Sequence, residues 1–260
     1  MPGVEYRLRE FIPPADQRAL LVDASAGLAL GVLPGLEHFS EGVMPLLRVV
    51  DGLVCSPGQI GKLSRATQAD AGLLVRMDWT NSLRGASFVL PPMSTQHVPV
   101  LSAEDALDLG ACGMVTTFLL GYEEEVEAGC LRSTVQLALR GRELGLPLVV
   151  EVLPGGSRVS VYGKAVELGA SYALEGGADV IIVPHPGQAS LETLGKFISV
   201  PWLVKPSGLD AARQELTGAL AAGASGLWLD HTVFSQQALQ VWLSELHQAV
   251  HAPHAAPVKG

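Results

Sequence analysis

The sequence predicts a (β/α)8 barrel, and three observations predict it. Eight short apolar runs recur at a spacing of about 29 residues along the 260-residue chain. Each run is continuously apolar rather than alternating, as parallel strands covered on both faces require. A helical pattern separates most neighbours, so the chain reads as a strand–helix unit repeated eight times, within the usual size of such barrels. One domain is expected over residues 1–260, with residues 1–18 as a helical extension covering the amino end of the barrel.

The elements follow in order. The first three runs are Ala19–Asp23, Gly52–Cys55 and Gly72–Met77. Thr80–Val100 then breaks the rhythm: it is rich in Ser, Pro and Gly, with Pro91-Pro92 at its middle. A connection this long in a compact domain is usually functional, and its place after a strand makes it a lid or substrate wall. Ser102-Ala-Glu-Asp105 is a capping-box-like start for a helix over Ala103–Leu109, with Gly110 as its stop. The fourth run is Gly113–Phe118. Glu123–Glu125 loads acid into the first turn of a long helix that Gly145-Leu146-Pro147 ends, just after Leu144. Pro147–Leu153 and Asp179–Val183 are the fifth and sixth runs. Ser190 is placed to cap a helix over Leu191–Ile198, and Asp210 one over Ala211–Ala222. The seventh and eighth runs are Pro201–Lys205 and Gly226–Asp230. The turns Gly177–Asp179 and Gly223–Ser225 repeat a Gly-Ala-Asp/Ser pattern that makes a tight entry to a strand. A closing helix over Gln237–Val250 carries Leu239, Val241, Trp242, Leu246 and Val250 at helical spacing, and residues 251–260 read as a frayed tail.

Composition narrows the function classes. An apolar fraction of 48% with 17% charged residues describes a folded chain with a large core. A net charge of -9 argues against nucleic acid or an anionic membrane as the main partner and leaves a small-molecule substrate. No apolar stretch is long enough to span a bilayer, and the four charges within Met1–Glu10 do not read as a signal peptide. Cys55, Cys112 and Cys130 lack CxxC spacing and fit reduced thiols in the cytoplasm.

In such barrels the active site lies at the carboxyl ends of the strands. Those ends present Asp23, Cys55-Ser56, Arg76 and Asp78, Thr116 and Thr117, Glu151, His185, Lys205, and Asp230-His231. Lys205 is the most informative, being one of only five lysines and ending an apolar strand. Burial beside another cation would lower its pKa and free the amine for attack on a carbonyl, whereas pairing with Asp230 or Asp23 would make it structural. Asp23 and Glu151 are candidate proton carriers. His185, between Pro184 and Pro186, is either an acid/base or a loop residue. Arg76, Asp78, Thr80 and Asn81 are expected to read a polar substrate, together with Ser207, Gly208, Asp230 and His231. Pro206-Ser207-Gly208 offers a turn of the kind that binds phosphate, but Asp230 after the eighth run would repel an anion. Asp23, Glu151, His185 and Asp230-His231 also suggest a metal set, but no compact ligand motif supports it, so neither metal nor cofactor is expected.

These segments resemble the class I fructose-bisphosphate aldolase branch of the deoxyribose-phosphate and tagatose-bisphosphate aldolase superfamily, from Asp23 to His251. Asp23 with Gly31–Glu37 is similar to the first-strand aspartate and P-G-L-E/D turn of that family, and Pro147–Gly156 to its fifth-strand segment. Gly177–Val183 is similar to its G-A-D-I-V-K-T segment, and Gly226–Phe234 to its G-x-x-x-G-R-N-x-F segment. The resemblance implies a Schiff-base lysine at Ile182, a tyrosine at Leu153 and a phosphate-binding arginine at His231; this chain has none of the three. Lys205-Pro-Ser-Gly208 is similar to the strand-seven lysine segment of deoxyribose-phosphate aldolases. The resemblance thus implies a divergent carbon–carbon lyase or transferase, a homo-oligomer, with Lys205 forming the imine. A metal-assisted or acid–base enzyme and a non-catalytic metabolite-binding descendant are the alternatives.

Overall fold

In the computed structural model, which describes residues 2–63 and 71–253, eight parallel strands close into a barrel. The first three barrel strands are β1 (Ala19–Asp23), β2 (Gly52–Cys55) and β3 (Gly72–Arg76), and a hairpin follows them. The hairpin is β4 (Asp78–Thr80) paired antiparallel with β5 (His97–Pro99). The remaining strands are β6 (Gly113–Leu120), β7 (Leu148–Pro154), β8 (Val180–Pro184), β9 (Trp202–Lys205) and β10 (Gly226–Leu229), and β10 returns to pair with β1. All eight expected runs are strands of the barrel, in order. No helix among the described residues is long and apolar enough to cross a membrane.

Strand alternation explains the continuous apolar runs, because each strand supplies two buried faces. Outward residues such as Val22, Val75, Val150 and Val204 pack beneath the helices in one core. Inward residues Leu21, Val54, Leu74, Val115, Val149, Ile182, Leu203 and Trp228 form a second core inside the barrel. The same alternation carries Asp23, Arg76, Thr117, Glu151 and Lys205 inward, two residues after Leu21, Leu74, Val115, Val149 and Leu203.

The amino-terminal extension supplies the floor. Helix α1 (Pro2–Leu8) leads to Phe11 and Ile12, which join the interior core. A Cβ on Gly52, Gly72 or Gly113 would lie within 3.2 Å of the Phe11 side chain, so these glycines make room for the ring. Arg7 donates to the Gly145 carbonyl at 2.8 Å, at the carboxyl end of the long helix over Glu124–Leu144, where a cation is favoured.

The local signals divide by type. Ser102 forms the full capping box with Asp105, and Gly145 takes the left-handed conformation (φ 70°) that ends the long helix. The Ser190 and Asp210 caps are not formed. The helix over Gln188–Phe197 starts from Gly187, and the Ser190 hydroxyl donates to Glu167 at 2.7 Å; the helix over Ala212–Ala221 starts from Ala211. The expected tail also begins too early: His251 belongs to the closing helix, Leu239–His251, and bonds Asp16 and Asp51, while residues 254–260 lie outside the described residues.

Candidate active site

A buried arginine organises the carboxyl mouth. Arg76, at the end of β3, reaches Asp23 of β1 at 2.5 Å and Glu151 of β7 at 2.9 Å through one nitrogen. Its other nitrogens donate to the Ser25 hydroxyl and the Thr117 hydroxyl, each at 3.1 Å. Asp23 also accepts from the Ser25 amide at 2.7 Å and the Ser25 hydroxyl at 2.5 Å. Asp23, Arg76 and Glu151 are all buried. Burial disfavours the guanidinium, yet Asp23, Glu151 and Asp78 outweigh it and hold Arg76 above its ordinary value. Glu151 moves the other way: burial raises its carboxyl above the usual range despite Arg76 and Lys205. A carboxyl group so placed holds a proton more readily than an exposed one, as a proton carrier needs.

Lys205, at the end of β9, pairs with Asp230 at 2.7 Å. Asp230 follows β10 and caps the short turn over His231–Ser235, accepting from the Thr232 amide at 3.0 Å and its hydroxyl at 2.5 Å. The expected lowering of the Lys205 pKa is not found. Burial works against the ammonium, but Glu151 and Asp230 outweigh it and raise the amine above the ordinary lysine value. Asp230 itself is held down to about 2, because Lys205 and Thr232 overcome its burial. Of the two expectations, burial beside a cation or pairing with Asp230 or Asp23, the fold realises pairing with Asp230. Ile182, at the position the resemblance assigns to the Schiff-base lysine, lies fully buried in the interior core.

The connection after β3 is a wall, as its length suggested. Asp78 is occupied by His97 at 2.7 Å, by the Thr117 amide at 2.5 Å and by the Thr116 hydroxyl at 3.1 Å. Burial opposes charge on His97, but Asp78 raises its pKa to about 10, so the pair pins the hairpin to β6 as an ion pair. Asn81 closes the loop onto Ser94 and Gln96, and Thr80 accepts from the Ser82 amide. Arg84 donates to the Ala29 carbonyl at 2.9 Å, tying this wall to the short helix after β1, Gly27–Leu30. Between them they roof a pocket lined by Asp23, Ser25, Arg76, Asp78, Thr117, Glu151, Lys205, Asp230 and His231. The carboxylate of Asp78 and the amide of Asn81 therefore hold the wall in place, and Asp78 also lines the pocket.

His185 and Ser207 stand apart from that pocket. They line a cleft of about 340 Å³ that meets the first pocket at Leu153 and Lys205. His185 lies 3.7 Å from Glu215, and its backbone amide donates to the Lys205 carbonyl at 2.8 Å. Gly208 is exposed and lines neither space. Three contributors escaped the sequence reading. Ser25 was legible in D-x-S, a spacing that lets a serine bond a carboxylate two residues back. Tyr162 lines the cleft beside Lys205, and Glu215 binds Ser207; neither carries a local signal.

The P-G-L-E turn of the resemblance is also explained by contact. Gly35, in Gly31–Glu37, has φ 78°, and a Cβ there would sit 2.4 Å from the Phe234 carbonyl. The first and last motifs of the resemblance therefore meet at a position where only glycine fits. Among the described residues, the group able to hold a metal is Asp51, His247 and His251, at the amino end of the barrel; the mouth residues form no such set.

Comparison with known proteins matches this architecture. No family model matches the chain. Over 252 residues it is 25% identical to a 3-hydroxy-5-phosphonooxypentane-2,4-dione thiolase of Yersinia enterocolitica, covering 96% of this chain and 82% of that protein. A thiolase of the same name from Yersinia pestis gives the same identity and coverage. The barrel of this chain superposes on a Schiff-base-forming fructose-1,6-bisphosphate aldolase with a TM-score of 0.78 at 22% identity, covering 96% of this chain and all of the other. The likeness supports the superfamily resemblance read from the sequence.

Proposed function

We propose that this protein, a divergent relative of the class I fructose-bisphosphate aldolase superfamily, is an aldolase-like carbon–carbon lyase or transferase acting on a small sugar-derived carbonyl compound through a Lys205 imine. One observation carries the reading: an amine, two buried carboxyl groups and a buried guanidinium line one roofed pocket at the carboxyl mouth. In this scheme the neutral Lys205 nitrogen attacks the substrate carbonyl carbon. A carbon–nitrogen bond forms, and the carbonyl oxygen leaves as water after taking up two protons. The resulting iminium accepts the electron pair of the breaking carbon–carbon bond, giving an enamine that is then protonated and hydrolysed. Glu151, whose pKa burial raises, is the acid that supplies a proton to the leaving oxygen. Asp23, fixed by Arg76 and Ser25, takes the proton of a substrate hydroxyl. Arg76 sets the charge of both carboxyl groups, and His185 acts in the adjoining cleft on the departing fragment. The protein works as a homo-oligomer in the cytoplasm, where its three buried, unpaired thiols stay reduced.

The pairing of Lys205 with Asp230 favours a second reading, a descendant that binds a metabolite without turnover, because the raised amine pKa opposes attack. Borohydride reduction in the presence of small ketoses and aldehydes, read by intact mass and peptide mapping, separates the two. A reduced adduct on Lys205 supports the enzyme; retention of unmodified ligand without any adduct supports the binder.

A further inference from the structure

The loops after the last two barrel strands are the place where barrels of this kind bind phosphate, through backbone amides and a helix start. In this chain both loops are already filled by carboxylates of the protein. The Ser207 amide donates to Glu215 at 2.8 Å, and the Ser207 hydroxyl donates to the other oxygen of the same carboxylate at 2.5 Å. Glu215 comes from the first turn of the helix over Ala212–Ala221. One loop later, Asp230 takes the Thr232 amide and hydroxyl. The cations nearby are engaged as well: Lys205 with Asp230, and Arg76 with Asp23 and Glu151.

Asp23, Asp78, Glu151 and Asp230 thus line the pocket with two cations, Arg76 and Lys205, and Glu215 backs Ser207 at the adjoining cleft. A phosphate dianion entering there would displace a carboxylate from its donors and meet the remaining acids without a free cation among these residues. A carboxylate bound to two donors occupies the place of two phosphate oxygens, and its outer lone pairs accept hydrogen bonds from hydroxyl groups. We infer that the site takes a non-phosphorylated, hydroxyl-bearing carbonyl compound, with Glu215 occupying the Ser207 donors that a phosphate would need and Asp230, which lines the pocket, accepting a hydroxyl of the substrate. This inference rests on the aldolase-like reading for the carbonyl and on the loop geometry for the missing phosphate.

Two measurements test it separately. In borohydride trapping, dihydroxyacetone is expected to label Lys205 at concentrations roughly tenfold or more below those needed with dihydroxyacetone phosphate. Preference for the phosphorylated probe would overturn the inference while leaving the imine chemistry intact. In the second measurement, inorganic phosphate is titrated into the full chain and followed by phosphorus NMR linewidth. No saturable broadening is expected for the native protein, and broadening is expected to emerge in Glu215→Gln, which keeps an acceptor for Ser207 but removes the charge. Saturable binding to the native protein, lost on Ser207→Pro, would overturn the inference even if neither probe is trapped. Absence of trapping together with absence of phosphate binding would sink the imine reading and uphold the exclusion of phosphate.

Discussion

Replacing Arg76 by methionine tests the organisation of the mouth most directly. The guanidinium serves two buried carboxylates and two hydroxyls at 2.5–3.1 Å, and Asp23 and Glu151 are only 6% and 5% exposed. Methionine fills a similar volume, so the cavity cost is small and the electrostatic cost dominates. Removing one partner of a buried ion pair typically costs about 3–5 kcal/mol, and here two carboxylates lose their cation at once. Glu151 relieves part of this by taking a proton, since burial already raises its pKa. That relief fixes the sign with pH. A carboxyl whose folded pKa is raised destabilises the fold as pH climbs through the range between its unfolded and folded values. The deficit of Arg76→Met should therefore be about 3–5 kcal/mol near neutral pH and should shrink toward the ordinary carboxylate range near pH 4. Urea unfolding followed by tryptophan fluorescence, at several pH values and with unchanged slope, measures it. Adding Glu151→Gln should recover part of the loss, because one uncompensated charge is gone. A deficit below about 1 kcal/mol, or one that does not vary with pH, would refute the charge-hub account.

Other outcomes follow from single contacts. Lys205→Ala should abolish borohydride trapping while the barrel stays folded, since Asp230 keeps its two Thr232 bonds; trapping that persists at another residue would end the imine reading. Asp23→Asn should slow turnover by about 10²–10⁴-fold while leaving Lys205 trappable, which steady-state kinetics and intact mass together report. Phe11→Ala should cost about 3–5 kcal/mol in urea unfolding, because the ring fills the floor between Gly52, Gly72 and Gly113. Asp51 sits buried yet is lowered to about 2 because His247, His251 and the Leu20 amide outweigh the burial. Its contribution, about 2 kcal/mol, is present above pH 4 and is lost as pH falls toward 2. Asp51→Asn should flatten that acid limb of the stability profile.

The eight strands, the long helix and the capping box at Ser102 were legible because each depends on residues within a few positions of one another. A run of apolar side chains, a Ser-x-x-Asp start or a glycine after Leu144 carries its meaning locally. The expected caps at Ser190 and Asp210 failed for the complementary reason. A cap depends on the direction from which the chain enters the helix, and that entry is set by Gly187, three residues before Ser190, and by Ala211, one residue after Asp210. The sequence alone also brought Asp23, Arg76, Glu151 and Lys205 to strand ends, and with them the position of the mouth. It could not say which of them touch. Asp23 and Arg76 are 53 positions apart, and only barrel closure, with the register of β1, β3 and β7, sets them at 2.5 Å and brings Glu151 to the same nitrogen. Lys205 shows the limit most clearly: the sequence left open both a pKa lowered by burial beside a cation and a pairing with Asp230 or Asp23. The tertiary structure decided the sign by placing Glu151 and Asp230 beside the amine, because Coulomb attraction at such short range exceeds the desolvation that burial imposes.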